Sequence, residues 1–406
     1  MAESQALASS IEFQMSLLLF VALAGYLLAS RINQSAVIGE ILAGLLIGPS
    51  LLGLITYTDF VRSVAHLGAV ILLFVIGLEF KLKEIFNVKY GIIALVGVII
   101  PWIGGFYLAK LFGYGFGSAV FVGTALTATS IAITANVLRE MGKLQTEAAK
   151  AIIGAAVIDD VLSLLALSMS GQLVSGTLSI TSIGFVLFNA SAFLIIGAYV
   201  GSKFLSKLVA KVDDTDIAKR FPEFVFIFAM MIAFLYAMIA ELIHLSAIVG
   251  SFIAGVSLGS VVLSHSKNYK EGAEYLHIIF ASIFFVSLGI LADFHALTAN
   301  VIWFLIALTV VAVLTKVIGC YIPAKLQGMS HQDASVVGFG MSPRGEVAMI
   351  VALIGLNAGF IKQDIYVSLV FMSLLTTILT PIVLRNWLYK GSSTGIFKRK
   401  QVTKKD

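Results

Sequence analysis

The sequence predicts an all-α polytopic membrane protein of about thirteen transmembrane helices, built as two inverted repeats with two broken, crossing helices. Three observations predict it. Of 406 residues, 59% are hydrophobic and only 12% are charged, with a mean hydropathy of +1.01; a soluble domain carries about 25% charged residues. The basic residues fall almost entirely on alternate connections between apolar runs. A small-residue motif recurs at a fixed distance along the chain.

At about 20 residues per span, the candidate helices cover 11–30, 36–54, 63–80, 90–110, 118–139, 148–171, 181–203, 222–241, 246–263, 274–291, 298–321, 332–357 and 365–388. No Lys or Arg precedes the first, so it lacks the basic region of a signal peptide and reads as a retained helix. The connections after odd-numbered helices, with the C-terminal tail, hold 22 of the 27 Lys and Arg residues; the other side holds Arg62, Lys110 and Lys362. One missed or extra span would scramble that alternation. The positive-inside rule then places the N-terminus outside and the tail in the cytoplasm of a multi-pass cell-membrane protein. The single cysteine, Cys320, lies in an apolar run and offers neither a disulfide framework nor a thiolate site. A pI near 9.1 spread over short loops and one tail does not point to nucleic acid.

Helix 2 contains Ser35-Ala36-Val37-Ile38-Gly39-Glu40-Ile41-Leu42-Ala43-Gly44, and helix 9 contains Ser246-Ala247-Ile248-Val249-Gly250-Ser251-Phe252-Ile253-Ala254-Gly255, an offset of 211 residues. Phe74-Val75-Ile76-Gly77 and Phe285-Val286-Ser287-Leu288-Gly289 repeat at nearly the same offset. Helices 1–6 and 8–13 therefore read as repeats of opposite orientation, with helix 7 between them. Inverted repeats are the architecture of many secondary transporters. Small-residue packing motifs also recur by chance in membrane helices, but not at one shared offset.

The fifth helix of each half is irregular. Thr124-Ala125-Leu126-Thr127-Ala128-Thr129-Ser130 is a run of small hydroxylated residues, and Gly338-Phe339-Gly340-Met341-Ser342-Pro343-Arg344-Gly345-Glu346 carries a proline between glycines. Proline removes a backbone donor and breaks a helix. Such a break at membrane depth is tolerated only inside protein or beside a cavity. For helix 5 alone, a close-packed Thr/Ser interface is the alternative.

The chemistry concentrates in helix 6, where Asp159 and Asp160 interrupt an apolar run. A carboxylate at bilayer depth costs roughly 2.5–3.5 kcal/mol on insertion scales, so the pair must face a water-filled cavity or a cation. Lys316 in helix 11 is a candidate partner, unless it snorkels to the interface. Adjacent carboxylates with a lysine titrate as one coupled unit, able to exchange protons for a hard monovalent cation held by oxygens. The six dispersed histidines form no cluster that would select zinc or copper. Arg344 and Glu346 read as structural or regulatory charges in broken helix 12, able to pair with each other or with acids of helix 5's partners. Glu79 reads as an interfacial structural residue, and Glu40 lies only a few residues inside the membrane.

These motifs resemble the monovalent cation:proton antiporter-2 family: the aspartate pair within Gly154-Ala155-Ala156-Val157-Ile158-Asp159-Asp160-Val161-Leu162, the run Leu72 to Phe80, and Gly340-Met341-Ser342-Pro343-Arg344-Gly345-Glu346. The likeness runs over essentially the whole chain and is greatest to NapA-type sodium/proton antiporters, which implies an NhaA/NapA-like fold. The resemblance further implies that Asp160 is the main carrier of ion and proton, that Asp159 bridges to Lys316, and that Thr129 and Ser130 lie beside a sodium ion held by the two aspartates. It implies a homodimer in which core helices 4–6 (90–171) and 11–13 (298–388) move like an elevator. They would move against dimerisation helices 1–3 (11–80) and 8–10 (222–291), with 181–203 as linker and 389–406 as a basic tail. Two protons would exchange for each sodium, with lithium also carried and no cofactor, in the service of pH homeostasis. Related glutathione-gated potassium exchangers carry a soluble nucleotide-binding domain. Only Gly391 to Asp406 follows here, an expectation against such regulation. A potassium/proton antiporter is the rival within the class. A channel gives no reason for an inverted repeat with paired breaks. An intramembrane protease needs its two aspartates on separate helices, or a Ser–His arrangement.

Overall fold

In the computed structural model, which describes residues 10–85, 87–177, 179–221, 223–261, 263, 269–297 and 299–390, every predicted span is occupied by helix. In chain order these are α1 (Ile11–Arg31), α2 (Ala36–Ile47), α3 (Asp59–Gly77), α4 (Val88–Leu111), α5a (Phe116–Ala125), α5b (Ile131–Glu140), α6 (Glu147–Ser175) and α7 (Ile180–Asp213). Then come α8 (Phe224–Leu242), α9 (Ala247–Leu258), α10 (Tyr269–Ile290), α11 (Ala299–Leu326), α12a (His331–Gly340), α12b (Glu346–Asn357) and α13 (Gln363–Leu388). Among the described residues, nine helices are long and apolar enough to cross a bilayer. The remaining four spans are the short α2 and α9 and the two broken helices.

The expected ranges 36–54 and 246–263 were too long. Both α2 and α9 stop after 12 residues. In α2 the reason is local: Gly48 ends the helix, and Pro49 disfavours helical backbone at the residue before it. The two short helices begin and end 211 residues apart, at Ala36 and Ala247, Ile47 and Leu258. Their glycines also make exchanged contacts. A side chain at Gly44 would collide with the Val286 carbonyl of α10, and one at Gly255 with the Phe74 carbonyl of α3. Close backbone approach through small residues is how helices pack where water supplies no driving force.

Helix α7 was also underestimated: it continues to Asp213, ten residues past the expected end at 203. Its last turns bury Val209 and Asp213 and expose Lys207 and Lys211, so a polar, amphipathic stretch prolongs the apolar one. Lys203, Lys207 and Lys211 therefore lie on a helix, not in a loop. Lys267 and the tail from 391 lie outside the described residues.

The densest helix packing divides into two groups, α1–α3 with α8–α10, and α4–α6 with α11–α13, while α7 touches both α6 and α9. Between the groups, α5b reaches α3 and α13 reaches α2.

Candidate functional site

Helix α5a ends where the sequence turns from apolar to hydroxylated. Thr127 folds its hydroxyl back onto the Thr124 carbonyl at 2.7 Å, a local bond that competes with helix continuation. Residues 126–130 run non-helically until α5b starts at Ile131. Helix α12a ends at Gly340, Pro343 has no N–H with which to continue its ladder, and α12b starts at Glu346 after Gly345 in non-helical backbone. The two interruptions cross in contact. The Ser130 N–H donates to the Pro343 carbonyl at 2.9 Å, Thr129 Oγ1 to the Met341 carbonyl at 3.3 Å, and Thr134 Oγ1 to the Gly340 carbonyl at 2.6 Å. A Cβ at Gly345 would lie 2.7 Å from Ser130 Cβ, which is why glycine stands at the crossing.

Asp159 and Asp160 come to this crossing from the middle of α6. Asp159 is fully buried and Asp160 is 9% exposed. Lys316 Nζ donates to Asp159 Oδ1 at 2.7 Å and to the Thr127 carbonyl at 2.8 Å. The alternative of a snorkelling Lys316 is overturned: its side chain is fully buried, and α11 runs ten residues beyond it to Leu326, so the ammonium is deep within the helix. An ammonium there is tolerable only when paired and fully hydrogen-bonded.

Arg344 does something the sequence did not suggest. Its fully buried guanidinium donates from one terminal nitrogen to the carbonyls of Ala128 (2.5 Å) and Thr127 (3.4 Å), and from the other to Ala312 (3.3 Å). It thus reaches to the unwound segment of the other broken helix. The Thr127 and Ala128 carbonyls lie just beyond the C-terminal, negative end of α5a. The side chain of Glu346, its expected companion, lies outside the described residues.

The second break is held by neutral groups. Thr376 Oγ1 accepts from the Arg344 N–H at 3.1 Å, Thr377 Oγ1 donates to the Arg344 carbonyl at 2.9 Å, and Thr380 Oγ1 pairs with Ser342 Oγ at 3.2 Å. Sequence reasoning passed over these α13 hydroxyls, whose signal was a Thr run in an apolar helix. It also passed over Ser163, one turn beyond the aspartates and 1% exposed. Asp159 Oδ2, Ser163 Oγ, Arg344 Nε and Ser373 Oγ are buried with no hydrogen-bond partner among the described residues.

Away from the crossing, the end of α5b is tied to neighbouring helices. Arg139 donates to Glu79 and to Glu274, each at 3.0 Å, and lies 3.2 Å from His277 Nδ1. Glu140 accepts from Ser35 Oγ at 2.7 Å at the start of α2, where Glu40 is buried. The acidic and imidazole groups of the described residues form no cluster of three that could hold a metal ion.

A buried carboxylate bridged on one oxygen and open on the other, beside a second carboxylate at a crossing of backbone breaks, can hold one small cation or a proton. Comparison with known proteins agrees with that chemistry. Residues 17–390 match the family model described as the transmembrane sodium/hydrogen exchanger. The chain is 34% identical over 381 residues to the Na(+)/H(+)-K(+) antiporter GerN of Bacillus cereus, covering 92% of this chain and 95% of that protein. It is 32% identical over 378 residues to a Na(+)/H(+) antiporter of Enterococcus hirae, covering 92% and 97%. In structure it is similar to the sodium proton antiporter MjNhaP1 of Methanocaldococcus jannaschii, with a TM-score of 0.73 over 96% of this chain and 99% of that one; at 17% identity this likeness establishes a shared fold.

Proposed function

The chain belongs to the sodium/hydrogen exchanger family and is a multi-pass monovalent cation/proton antiporter, not an enzyme; from that premise we propose that it exchanges sodium, and lithium, for protons at Asp160 and Asp159. The observation that carries the reading is the fully buried 2.7 Å bridge between Lys316 and Asp159, with Asp160 beside it. Arg344 is committed to backbone carbonyls and Lys316 to Asp159. Asp160, beside that bridge and slightly exposed where Asp159 is fully buried, is the carboxylate assigned to the exchangeable cation. Sodium and protons compete for it, and the core passes the membrane when its charge is neutralised.

The moving core comprises helices 4–6 and 11–13, and the scaffold and homodimer contact comprise helices 1–3 and 8–10. This reading is supported by helix packing that separates along that line. The equal lengths and exchanged glycine contacts of α2 and α9 support halves of inverted topology. The basic-rich connections then face the cytoplasm, with the N-terminus outside.

When sodium displaces the proton from Asp160 and the Lys316 bridge opens, the Lys316 ammonium gives up a second proton, so two protons exchange for one sodium. One net charge crosses, and the membrane potential contributes about 2.3 kcal/mol per 100 mV. The test is proton flux in proteoliposomes given sodium, lithium or potassium separately, with and without an imposed potential. Asp160→Asn should abolish exchange, and the native protein should respond to voltage. Exchange indifferent to voltage removes the two-to-one assignment, and full exchange in Asp160→Asn removes Asp160. A potassium/proton exchange is the second reading, favoured by the potassium in the name of the Bacillus cereus relative; faster flux with potassium than with sodium would select it.

A further inference from the structure

Helical Ser and Thr side chains in an apolar environment usually return their hydroxyl to the carbonyl four residues back. This molecule does so repeatedly: Ser170 to Ala166 at 2.6 Å, Ser257 to Ile253 at 2.7 Å, Ser368 to Asp364 at 2.8 Å and Thr124 to Val120 at 2.9 Å. Ser163 has the Asp159 carbonyl available in that position and does not use it. Its Oγ is buried and without a partner among the described residues. Four residues earlier on the same helix face, Asp159 Oδ2 is also buried and makes no hydrogen bond among the described residues, while Lys316 engages Oδ1. Residues four apart on a helix stand about 5–6 Å apart at Cβ. That separation lets one bound species touch both side chains.

We propose that Ser163 is a further ligand of the transported cation, its hydroxyl oxygen joining Asp159 Oδ2 on the buried side of the site. Leaving a carboxylate oxygen and a hydroxyl unmade in a dry interior is costly, and a hard cation held by oxygens removes both deficits together. The Lys316 ammonium engages Oδ1 and the Thr127 carbonyl, and the terminal nitrogens of Arg344 engage backbone carbonyls. A hydroxyl fixed by α6 also sets a distance, so Ser163 discriminates between sodium and lithium, as well as adding affinity. The inference rests on the reading that the Asp159–Asp160 pair holds the ion.

The experiment compares Ser163→Ala, Ser163→Thr and Ser163→Cys with the native chain in proteoliposomes, titrating sodium and lithium separately. Ser163→Ala should raise the apparent KM for sodium about fivefold, the loss of one neutral oxygen contact, with maximal rate within about twofold. It should shift the lithium-to-sodium preference, and Ser163→Thr, which keeps the oxygen, should restore both. Ser163→Cys keeps the volume but replaces the hard oxygen with sulfur, so it should behave like the alanine variant even if that one folds poorly. Unchanged KM and unchanged ion preference in both Ala and Cys variants would overturn the proposal. Asp160→Asn, run alongside, separates the two failures: an inactive Asp160→Asn with indifferent Ser163 variants leaves the ion site standing without Ser163, and an active Asp160→Asn removes the site itself.

Discussion

The two broken helices are built alike and held differently. At the first, carbonyls of residues 127 and 128 are covered by a lysine ammonium and an arginine guanidinium. At the second, the Gly340, Met341 and Arg344 carbonyls are covered by the hydroxyls of Thr134, Thr129 and Thr377. Both solutions satisfy buried backbone groups that would otherwise each cost about 1–3 kcal/mol. Only the charged one brings anions with it, since a buried cation calls for a counter-charge. The chemistry therefore sits on α6. The first break is stabilised by cations that Asp159 and Asp160 balance, whereas α13 needs no acid because its break carries no excess charge.

The harshest way to break this comparison is Arg344→Gln. Glutamine reaches at most part of three carbonyls and removes one buried positive charge from a set of two bases and two acids. Breaking a buried charge arrangement on one side costs about 3–5 kcal/mol. Thermal unfolding in detergent should show a large fall in midpoint, with exchange lost in the same protein. An unchanged midpoint would mean that the carbonyls of the first break need no cationic cover.

Lys316→Gln should cost less stability, because Asp159 can take up a proton and become neutral once its partner is gone, an escape the backbone carbonyls lack. Its larger effect falls on coupling. With Asp159 protonated throughout the cycle, one of the two exchanged protons is lost and voltage dependence should disappear while some exchange remains. Flux under an imposed potential decides it: fully voltage-driven exchange in Lys316→Gln would reduce the bridge to a structural contact.

Much of this was legible in the chain. The offset of 211 residues between Ser35 and Ser246 anticipated two helices of equal length, and Pro343 anticipated the second break. The hydroxylated run from Thr124 to Ser130 anticipated the first break, and Asp159 with Lys316 are drawn together by the only exchange that tolerates both inside an apolar bundle. What escaped reading depends on direction, not identity. Nothing in the position of Arg344 along the chain says that its guanidinium reaches another helix's carbonyls. Helix ends also escaped: hydropathy marks where the membrane is, and α7 continues on amphipathic turns after its apolar run has ended.

The finest test compares two serines. Ser163 in α6 and Ser373 in α13 are 210 residues apart, close to the repeat offset, and both hydroxyls are buried without partners among the described residues. Their neighbours differ. Ser163 is one turn from a carboxylate oxygen, while Ser373 lines a small cavity, about 10 Å³, shared with Arg344, Gly345 and Thr377. A space of that size holds at most one water, and no carboxylate lines it among the described residues. Removing an unsatisfied buried hydroxyl is nearly neutral or slightly stabilising. Ser373→Ala should therefore leave the apparent KM for sodium unchanged and move stability by less than about 1 kcal/mol. If it instead weakened sodium binding as much as Ser163→Ala does, equivalent hydroxyls in the two halves would be acting alike, and the division into a charged, ion-holding break and a neutral, structural one would fail.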